Sequence, residues 1–171
     1  AGQFIQILVQ SSWESPLRRP MSIAAVDGDQ IAIIYKVFGR MTQILTELKA
    51  GTALDILGPL GNTFRWGDNE FTAVLVGGGV GLAPILNMYG ECTAAGQEAV
   101  LVLGARTSVE HFIDHKPQNN VFLATDDGTA GIAGTVIPAI VKSLENTSKP
   151  EILACGPEPM LKAVQEFAAA H

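Results

Sequence analysis

Cysteine is scarce in this sequence, and its scarcity limits the disulfides and metal clusters that the chain can form by itself. Only two cysteines occur among 171 residues, Cys92 and Cys155, and they form no CxxC pair. That count argues against a disulfide framework and makes a reducing cytoplasm the default location. It also excludes an iron–sulfur cluster held by cysteines of this chain alone, because such a cluster needs about four thiolates.

Charge and long apolar runs are also sparse. Charged residues make up 16% of the sequence, the net charge is −6, and no lysine or arginine run occurs. This balance argues against a nucleic-acid partner and against an anionic membrane surface. No stretch approaches the roughly 18 apolar residues that a membrane span needs. The hydrophobic content of 47% predicts a well-buried core.

Residues 1–67 are predicted to form short strands of an antiparallel barrel or sandwich. A helix is predicted over Thr42–Lys49, with Thr42 as its N-cap. About four strands are few for a closed barrel, so we expect this unit to be incomplete at its N-terminus. The predicted strands are Phe4–Val9, Met21–Val26, Ile31–Val37 and Ala53–Leu57.

Residues 68–171 alternate between apolar strands and helices, which predicts a parallel sheet covered by helices on both faces. The predicted strands are Thr72–Val76, Val100–Gly104, Val121–Thr125 and Ile152–Ala154. The predicted helices are Ala83–Ala95, Thr135–Ser143 and Glu158–Ala169. The fold class is therefore a two-domain β plus α/β chain.

The stretch "VLVGGGVGLAP" places glycines between a buried strand and a helix. Such a turn lets a pyrophosphate approach the backbone and the helix N-terminus, although a plain structural turn has the same pattern. The spacing is Gly79-x-Gly81-x-x-Pro84, and the absence of Lys-Ser/Thr excludes a Walker A loop. The loops "LATDDGTAG" and "ACGPEPM" end two further strands, where open α/β sheets bind ligands. This common edge favours a nucleotide site.

Four other patterns have more than one interpretation. The adjacent arginines of "LRRPMS" need anionic partners, and a phosphate and a surface carboxylate are both open. The helix start at "GRMT" is a second candidate phosphate site, whereas Cys155 is either a site residue or a small buried one. His111 and His115 have a spacing that binds metal on a helix, but we interpret them as a solvated loop pair and predict no metal site.

The motifs "RRPMS", "IIYKVFGRMT", "LDILGPLGNTF", "VGGGVGLAP", "TDDGTAG" and "ACGPEPMLKAV" occur together and in this order. In this combination the chain resembles the ferredoxin–NADP reductase superfamily, and most closely the electron-transfer subunits of class B dihydroorotate dehydrogenases. The resemblance covers essentially the whole chain. It implies an antiparallel FAD-binding barrel over residues 1–67, followed by an α/β NAD-binding domain over residues 68–171.

On the flavin side, the resemblance implies that Arg19 pairs with the FAD pyrophosphate. Ser22 would lie near the reactive edge of the flavin. Met41, which stands where the family usually has glycine, would hold the pyrophosphate from the helix start together with Thr42. The other residues that the resemblance assigns to FAD are Pro20, Met21, Ile34, Tyr35, Lys36 and Gly39.

On the nicotinamide side, the resemblance places Cys155 and Gly156 near the nicotinamide and the flavin. Asp126 would accept the adenosine ribose hydroxyls and repel a 2′-phosphate, which favours NADH over NADPH. Ser22 and Cys155 are therefore the candidate catalytic residues. The glycines assigned to the pyrophosphate are Gly78, Gly79 and Gly81.

The family's reaction is oxidation of dihydroorotate to orotate in pyrimidine biosynthesis, with NAD⁺ as the acceptor. Electrons pass through FMN in a partner catalytic subunit and a [2Fe–2S] cluster to FAD and NAD⁺, so the resemblance implies a hetero-oligomer. The cysteine-rich segment that binds the cluster is absent from this chain, so we expect the chain to be a fragment. Hydride transfer requires orientation more than an acid–base residue.

Two alternative functions remain open at this point. The first is a reductase module of another complex, such as a hydrogenase or a ferredoxin:NADP⁺ oxidoreductase, over which "RRP" favours the dihydroorotate system only modestly. A non-catalytic regulatory module that binds a nucleotide without flavin turnover is the alternative of a different class. The flavin spectrum and its response to NADH distinguish these functions.

Overall fold

The computed structural model of the chain describes residues 1–9, 17–65 and 70–171. Within these ranges an antiparallel sheet of four strands precedes a parallel sheet of five strands, which confirms the predicted fold class. The predicted boundary between residues 67 and 68 lies in the segment 66–69, outside the described residues.

The antiparallel sheet has the strand order β3-β2-β1-β4. Apolar residues alternate along its first strand, so that Ile5 and Ile7 point inward and are 3% and 1% exposed. These two isoleucines form a small core with Ile23. The strands are β1 (Phe4–Leu8), β2 (Arg19–Asp27), β3 (Gln30–Ile33) and β4 (Asp55–Leu60).

Two elements of this half differ from their predictions. Strand β3 ends at Ile33 rather than Val37, because pairing with β2 ends at the Ile23–Ile33 pair. The helix α1 spans Arg40–Glu47, and its N-cap is Gly39 rather than Thr42. Gly39 has a φ of 79°, a left-handed backbone that glycine adopts readily, so the helix begins earlier than the hydroxyl suggested.

The parallel sheet has the strand order β8-β7-β6-β5-β9. Strand β8 has only two residues and lies just after a glycine-rich loop, so no periodic pattern predicted it. Each of the other strands extends beyond its predicted range by at most two residues at either end. The strands are β5 (Thr72–Gly78), β6 (Ala99–Ala105), β7 (Val121–Thr125), β8 (Ile132–Ala133) and β9 (Pro150–Cys155).

Helices cover both faces of the parallel sheet, as predicted. The helices are α2 (Leu82–Ala94), α3 (Val136–Leu144) and α4 (Glu158–Ala170). Along β5, Leu75 faces α2, whereas its neighbours Val74 and Val76 face α3 and α4, and all three are fully buried. This two-sided burial explains why the strands have nearly continuous apolar sequences.

The two sheets are joined by contacts from one half to the other. Helix α2 packs against β2 as well as against its own sheet. The amino group of Ala1 lies 2.5 Å from Glu91 Oε1, and Lys36 Nζ lies 2.7 Å from Glu110 Oε1. Within the described ranges no helix is both long and apolar enough to cross a membrane.

Candidate functional site

The candidate site lies at the carboxyl edge of the parallel sheet, between the ends of β5 and β9. These strands are adjacent, with Gly77 opposite Cys155. The chain leaves β5 towards β6 on one side and returns to β9 on the other, so this edge is the topological switch point of the sheet. Open α/β sheets bind ligands in the crevice at this point.

The glycine turn lies at this crevice, and its glycines Gly78, Gly79 and Gly81 have different surroundings. Gly79 has a φ of +54° and is exposed, and a Cβ built on it would meet only Pro157 Cγ at 3.8 Å. Gly78 is buried, and its Cβ would lie 2.5 Å from Met160 Sδ. Gly81 is also buried, and its Cβ would overlap the carbonyl oxygen of Cys155. Only Gly79 therefore offers open backbone to a ligand.

Two adjoining cavities meet at Gly79. The larger has a volume of about 420 Å³ and lies among the ends of β5 and β6 and the starts of α3 and α4. The smaller has a volume of about 370 Å³ and lies between the segment after β3 and the loop after β6. Gly79, Lys36 and Glu110 line both of them. A ligand in one cavity would therefore lie next to a ligand in the other.

The structure brings six of the predicted site residues together in these cavities. Gly78 and Asp126 line the larger cavity, Ile34 and Tyr35 line the smaller one, and Lys36 and Gly79 line both. Asp126 is exposed, whereas the next carboxylate, Asp127, turns away to its own loop. Predicted residues that line neither cavity are Arg19, Pro20, Met21, Ser22, Gly39, Met41, Thr42, Gly81, Cys155 and Gly156.

The adjacent arginines behave differently. Arg18 forms the carboxylate pair that was left open, because its Nη2 lies 2.6 Å from Asp55 Oδ2 and its Nη1 donates to the Asp55 carbonyl at 3.0 Å. Arg19 is exposed and forms no ion pair with any described residue. The second arginine is therefore available to an anion on this surface, whereas the first joins the residue before β2 to the start of β4.

Ser22, Met41 and Thr42 are less accessible than their predicted roles suggest. Ser22 is half-buried opposite Phe4 in the antiparallel sheet. Met41 and Thr42 are both buried at 8% exposure. The Thr42 hydroxyl accepts a hydrogen bond of 2.7 Å from the Phe38 amide, so it stabilises the entry to α1. Of the three predicted site residues at the start of this helix, Gly39, Met41 and Thr42, only Gly39 is exposed.

Cys155 ends β9 and is half-buried. Burial raises the pKa of its thiol above the ordinary value. A raised pKa keeps the thiol neutral near pH 7, which disfavours a role as a nucleophile. Gly156 packs beside it, and a Cβ on Gly156 would overlap Met160 Cε.

A cluster of three charged side chains was missed by the sequence interpretation. Glu110 Oε1 accepts hydrogen bonds from Arg106 Nη2 and Lys36 Nζ, each at 2.7 Å. The hydrogen bond from Arg106, followed by that from Lys36, lowers the pKa of Glu110 to about 2. Arg106 follows β6 immediately, so a polar residue at the end of that strand was the signal in the sequence.

The loops after β6 and β7 are tied to each other. Thr129 Oγ1 donates to Asp127 Oδ1 at 2.6 Å and accepts from the Ser108 amide at 2.8 Å. The bonds from Thr129 lower the pKa of Asp127. Ser108 begins the short 3₁₀ turn that ends at Glu110. The loop after β7 thereby holds the turn that carries Glu110.

The two loop histidines are not solvated, which corrects their interpretation. Both are half-buried against β7, and His111 Nε2 lies 3.2 Å from the Ala124 carbonyl. His115 Nδ1 accepts a 2.9 Å hydrogen bond from the Leu123 amide. They satisfy strand backbone at the sheet edge that two-residue β8 only partly covers. Across the described ranges no group of three or more His, Cys, Asp or Glu is placed to hold a metal ion.

An antiparallel sheet followed by an α/β domain, with a glycine turn at the switch point, is the architecture of the ferredoxin–NADP reductase fold. Residues 75–166 match the family described as "Oxidoreductase NAD-binding domain". The chain therefore belongs to this family of NAD-binding oxidoreductase domains.

A curated relative confirms the closer resemblance. The chain is 38% identical over 172 residues to "Dihydroorotate dehydrogenase B (NAD(+)), electron transfer subunit" of Geobacillus kaustophilus (strain HTA426). The match covers 96% of this chain and 66% of the relative. The chain thus spans just under two thirds of the length of the curated relatives it matches.

Solved structures have the same fold. One is titled as the structure of an NADH-dependent reduced ferredoxin-NADP oxidoreductase, with a TM-score of 0.71 and 29% identity, and the match covers 94% of this chain and 59% of that one. Another is a ferredoxin reductase in carbazole 1,9a-dioxygenase, with a TM-score of 0.74 and 26% identity. That match covers 99% of this chain and 56% of the other.

Proposed function

We propose that this chain carries electrons between FAD and NAD(H) in the electron-transfer subunit of a class B dihydroorotate dehydrogenase. In this function it works with an FMN-containing catalytic subunit that oxidises dihydroorotate to orotate, with NAD⁺ as the final acceptor. The observation that carries the proposal is the pair of cavities that meet at Gly79. The identity of 38% along 96% of the chain supports the choice of system.

The residues at the larger cavity fit a dinucleotide. Gly79 has open space where a side chain would stand, and Gly79 and Gly78 line the cavity next to the start of α2. Their backbone and the helix start would bind the pyrophosphate. Asp126 would accept the ribose hydroxyls, with NADH preferred over NADPH because this edge also holds Glu110. Gly81 would act indirectly, by packing the turn against β9.

The residues at the smaller cavity fit a flat ring system. Ile34 and Tyr35 supply apolar and aromatic walls, and Lys36 supplies a cation at the rim. Exposed Arg19 and the backbone at Gly39 would bind the FAD pyrophosphate, with Pro20, Met21 and Ser22 along β2 beside the flavin. Met41 and Thr42 would hold the helix start in shape. When bound, the two cofactors supply the hydride chemistry.

The chain's own contribution is to orient and to shield. Buried Gly78 and Gly81 pack the turn closely against Met160 and Cys155, which would hold the glycine backbone in place for a ligand. The neutral Cys155 thiol and Gly156 would lie beside the nicotinamide without adding a charge. Ser22 would offer a hydroxyl to the flavin edge. The [2Fe–2S] cluster of the family is not assigned to any residue of this chain.

A second candidate is a reductase module of an NADH-dependent ferredoxin–NADP oxidoreductase, favoured by the 29% identity to such a structure. The two functions are distinguished by the partner. Co-purification with an FMN-containing protein that reduces the flavin of this chain when dihydroorotate is added supports the first. Flavin reduction by reduced ferredoxin, but not through dihydroorotate, supports the second.

Both candidate functions include electron transfer between NADH and FAD. It is tested by an anaerobic titration of the intact, FAD-loaded protein with NADH. We expect the flavin absorption band to bleach with NADH and to bleach much less with NADPH at equal concentration. A protein that stays colourless after FAD is supplied would indicate a regulatory nucleotide-binding module instead. Flavin bands unchanged by NADH would contradict the nicotinamide assignment.

A further inference from the structure

Glu110 is the shared anionic partner of the two cations at the junction of the cavities. Its Oε1 lies 2.7 Å from Arg106 Nη2 and 2.7 Å from Lys36 Nζ. The Arg106 side chain is 71% exposed and lines the larger cavity together with Asp126. Glu110 therefore neutralises a guanidinium that would otherwise face this cavity freely.

The position of Arg106 gives this pairing a consequence for coenzyme choice. Strand β6 is the next strand to β5 in the sheet, and Arg106 is the first residue after it. In dinucleotide sites a carboxylate near this place binds the ribose hydroxyls, whereas an arginine there accommodates a 2′-phosphate. The chain has both groups in one loop, and they are bonded to each other.

We propose that Glu110 is a specificity-determining residue that keeps Arg106 paired, so that the site prefers NADH and rejects the 2′-phosphate of NADPH. Asp126 adds a second negative charge at the same edge. A 2′-phosphate bound by Arg106 would have to share the guanidinium with the Glu110 carboxylate, whose negative charge would repel the incoming anion.

The geometry holds Glu110 in this role. It lies at the end of the 3₁₀ turn Ser108–Glu110, whose start is held by the 2.8 Å hydrogen bond from the Ser108 amide to Thr129 Oγ1. The Thr107 hydroxyl accepts a further 3.2 Å hydrogen bond from the Val109 amide. The pKa of Glu110, lowered to about 2 by Arg106 and Lys36, keeps the carboxylate ionised at every pH at which the protein would be assayed.

The inference rests on the proposed nucleotide site, and its test compares coenzymes in the intact, FAD-loaded protein. Flavin reduction by NADH and by NADPH is measured without oxygen for the wild type and for Glu110→Gln. We expect kcat/KM for NADPH to rise roughly tenfold, about 1.4 kcal/mol, with a smaller change for NADH. The gain should appear in KM rather than in the rate of flavin reduction, because the change acts on binding.

Three further variants test whether the effect depends on Arg106 and on the charge of Glu110. Adding Arg106→Met to Glu110→Gln should abolish the gain for NADPH, since no free guanidinium remains. Glu145→Gln is the matched control, because it removes the same charge from an ion pair of 2.6 Å with Lys142, and neither residue lines either cavity. Glu110→Asp keeps a carboxylate at this position and should retain most of the wild type's preference for NADH.

A readout without electron transfer uses titration calorimetry with 2′-AMP and 5′-AMP. Glu110→Gln should bind 2′-AMP more tightly and 5′-AMP about as before. An unchanged ratio of the two coenzymes, or a gain for NADPH that survives Arg106→Met, would overturn the inference while leaving the nucleotide site in place. A wild type that binds neither NADH nor 5′-AMP would overturn the proposed function and the inference together.

Discussion

Gly81 and Cys155 meet across the switch point so closely that a Cβ on Gly81 would overlap the Cys155 carbonyl oxygen. This approach seats the glycine turn against the end of β9. We expect Gly81→Ala to destabilise the fold by about 1–3 kcal/mol, because backbone would have to move. Urea unfolding measures the change. Gly90→Ala is the control, since Gly90 has open space within α2 and should be neutral or slightly stabilising. Equal stability of the two variants would contradict this packing.

Gly79 tests the nucleotide role of the same turn. Gly79→Ala places a methyl group on the exposed backbone that lines both cavities, so it should weaken NADH binding by roughly tenfold. Gly96→Ala is matched to it, because Gly96 also has a positive φ, of +66°, and open space. Both variants should lose about 1–2 kcal/mol of stability from the left-handed backbone. Comparable loss of NADH binding in both would show that the effect is only conformational.

Arg18 and Arg19 should have separable roles. Arg19→Met should weaken FAD retention and leave the free energy of unfolding nearly unchanged. Retention is measured by the fluorescence of flavin released on dilution. Arg18→Met should leave FAD retention nearly unchanged and cost up to about 1 kcal/mol of stability, since its pair with Asp55 lies at the surface. The reverse pattern would assign the flavin pyrophosphate to Arg18 instead.

Cys92 gives a prediction for high pH. It is fully buried in α2, and burial raises the pKa of its thiol from the ordinary 9.0 to about 11. Because the folded state binds this proton more tightly, the stabilisation is complete below pH 9 and is lost as pH rises to about 11. The free energy of unfolding should fall there by at most about 1.4 kcal/mol per pH unit from this group. The contribution of Cys92 is isolated by measuring the free energy of unfolding of the wild type and of Cys92→Ala from pH 8 to 11. Parallel pH curves would contradict the prediction.

Much of the α/β half was predictable from local sequence. Continuous apolar strands such as Thr72–Val76, separated by amphipathic helices, specify a parallel sheet with both faces covered. The end of each strand then specifies the edge where a ligand binds. The antiparallel half was less predictable at its ends: β3 stops at Ile33 although its apolar pattern continues, and Gly39 rather than Thr42 begins α1.

By itself the sequence determined the order of the strands and helices other than β8, the glycine turn and its place at the carboxyl edge. These features follow from periodicity and turn chemistry within a few residues of each position. The tertiary structure decided which side chains meet: Arg18 with Asp55, and Glu110 with Lys36 from 74 residues away. It also separated Gly79, open to a ligand, from Gly81, packed on Cys155. Such partners depend on the approach of distant segments, which no local pattern encodes.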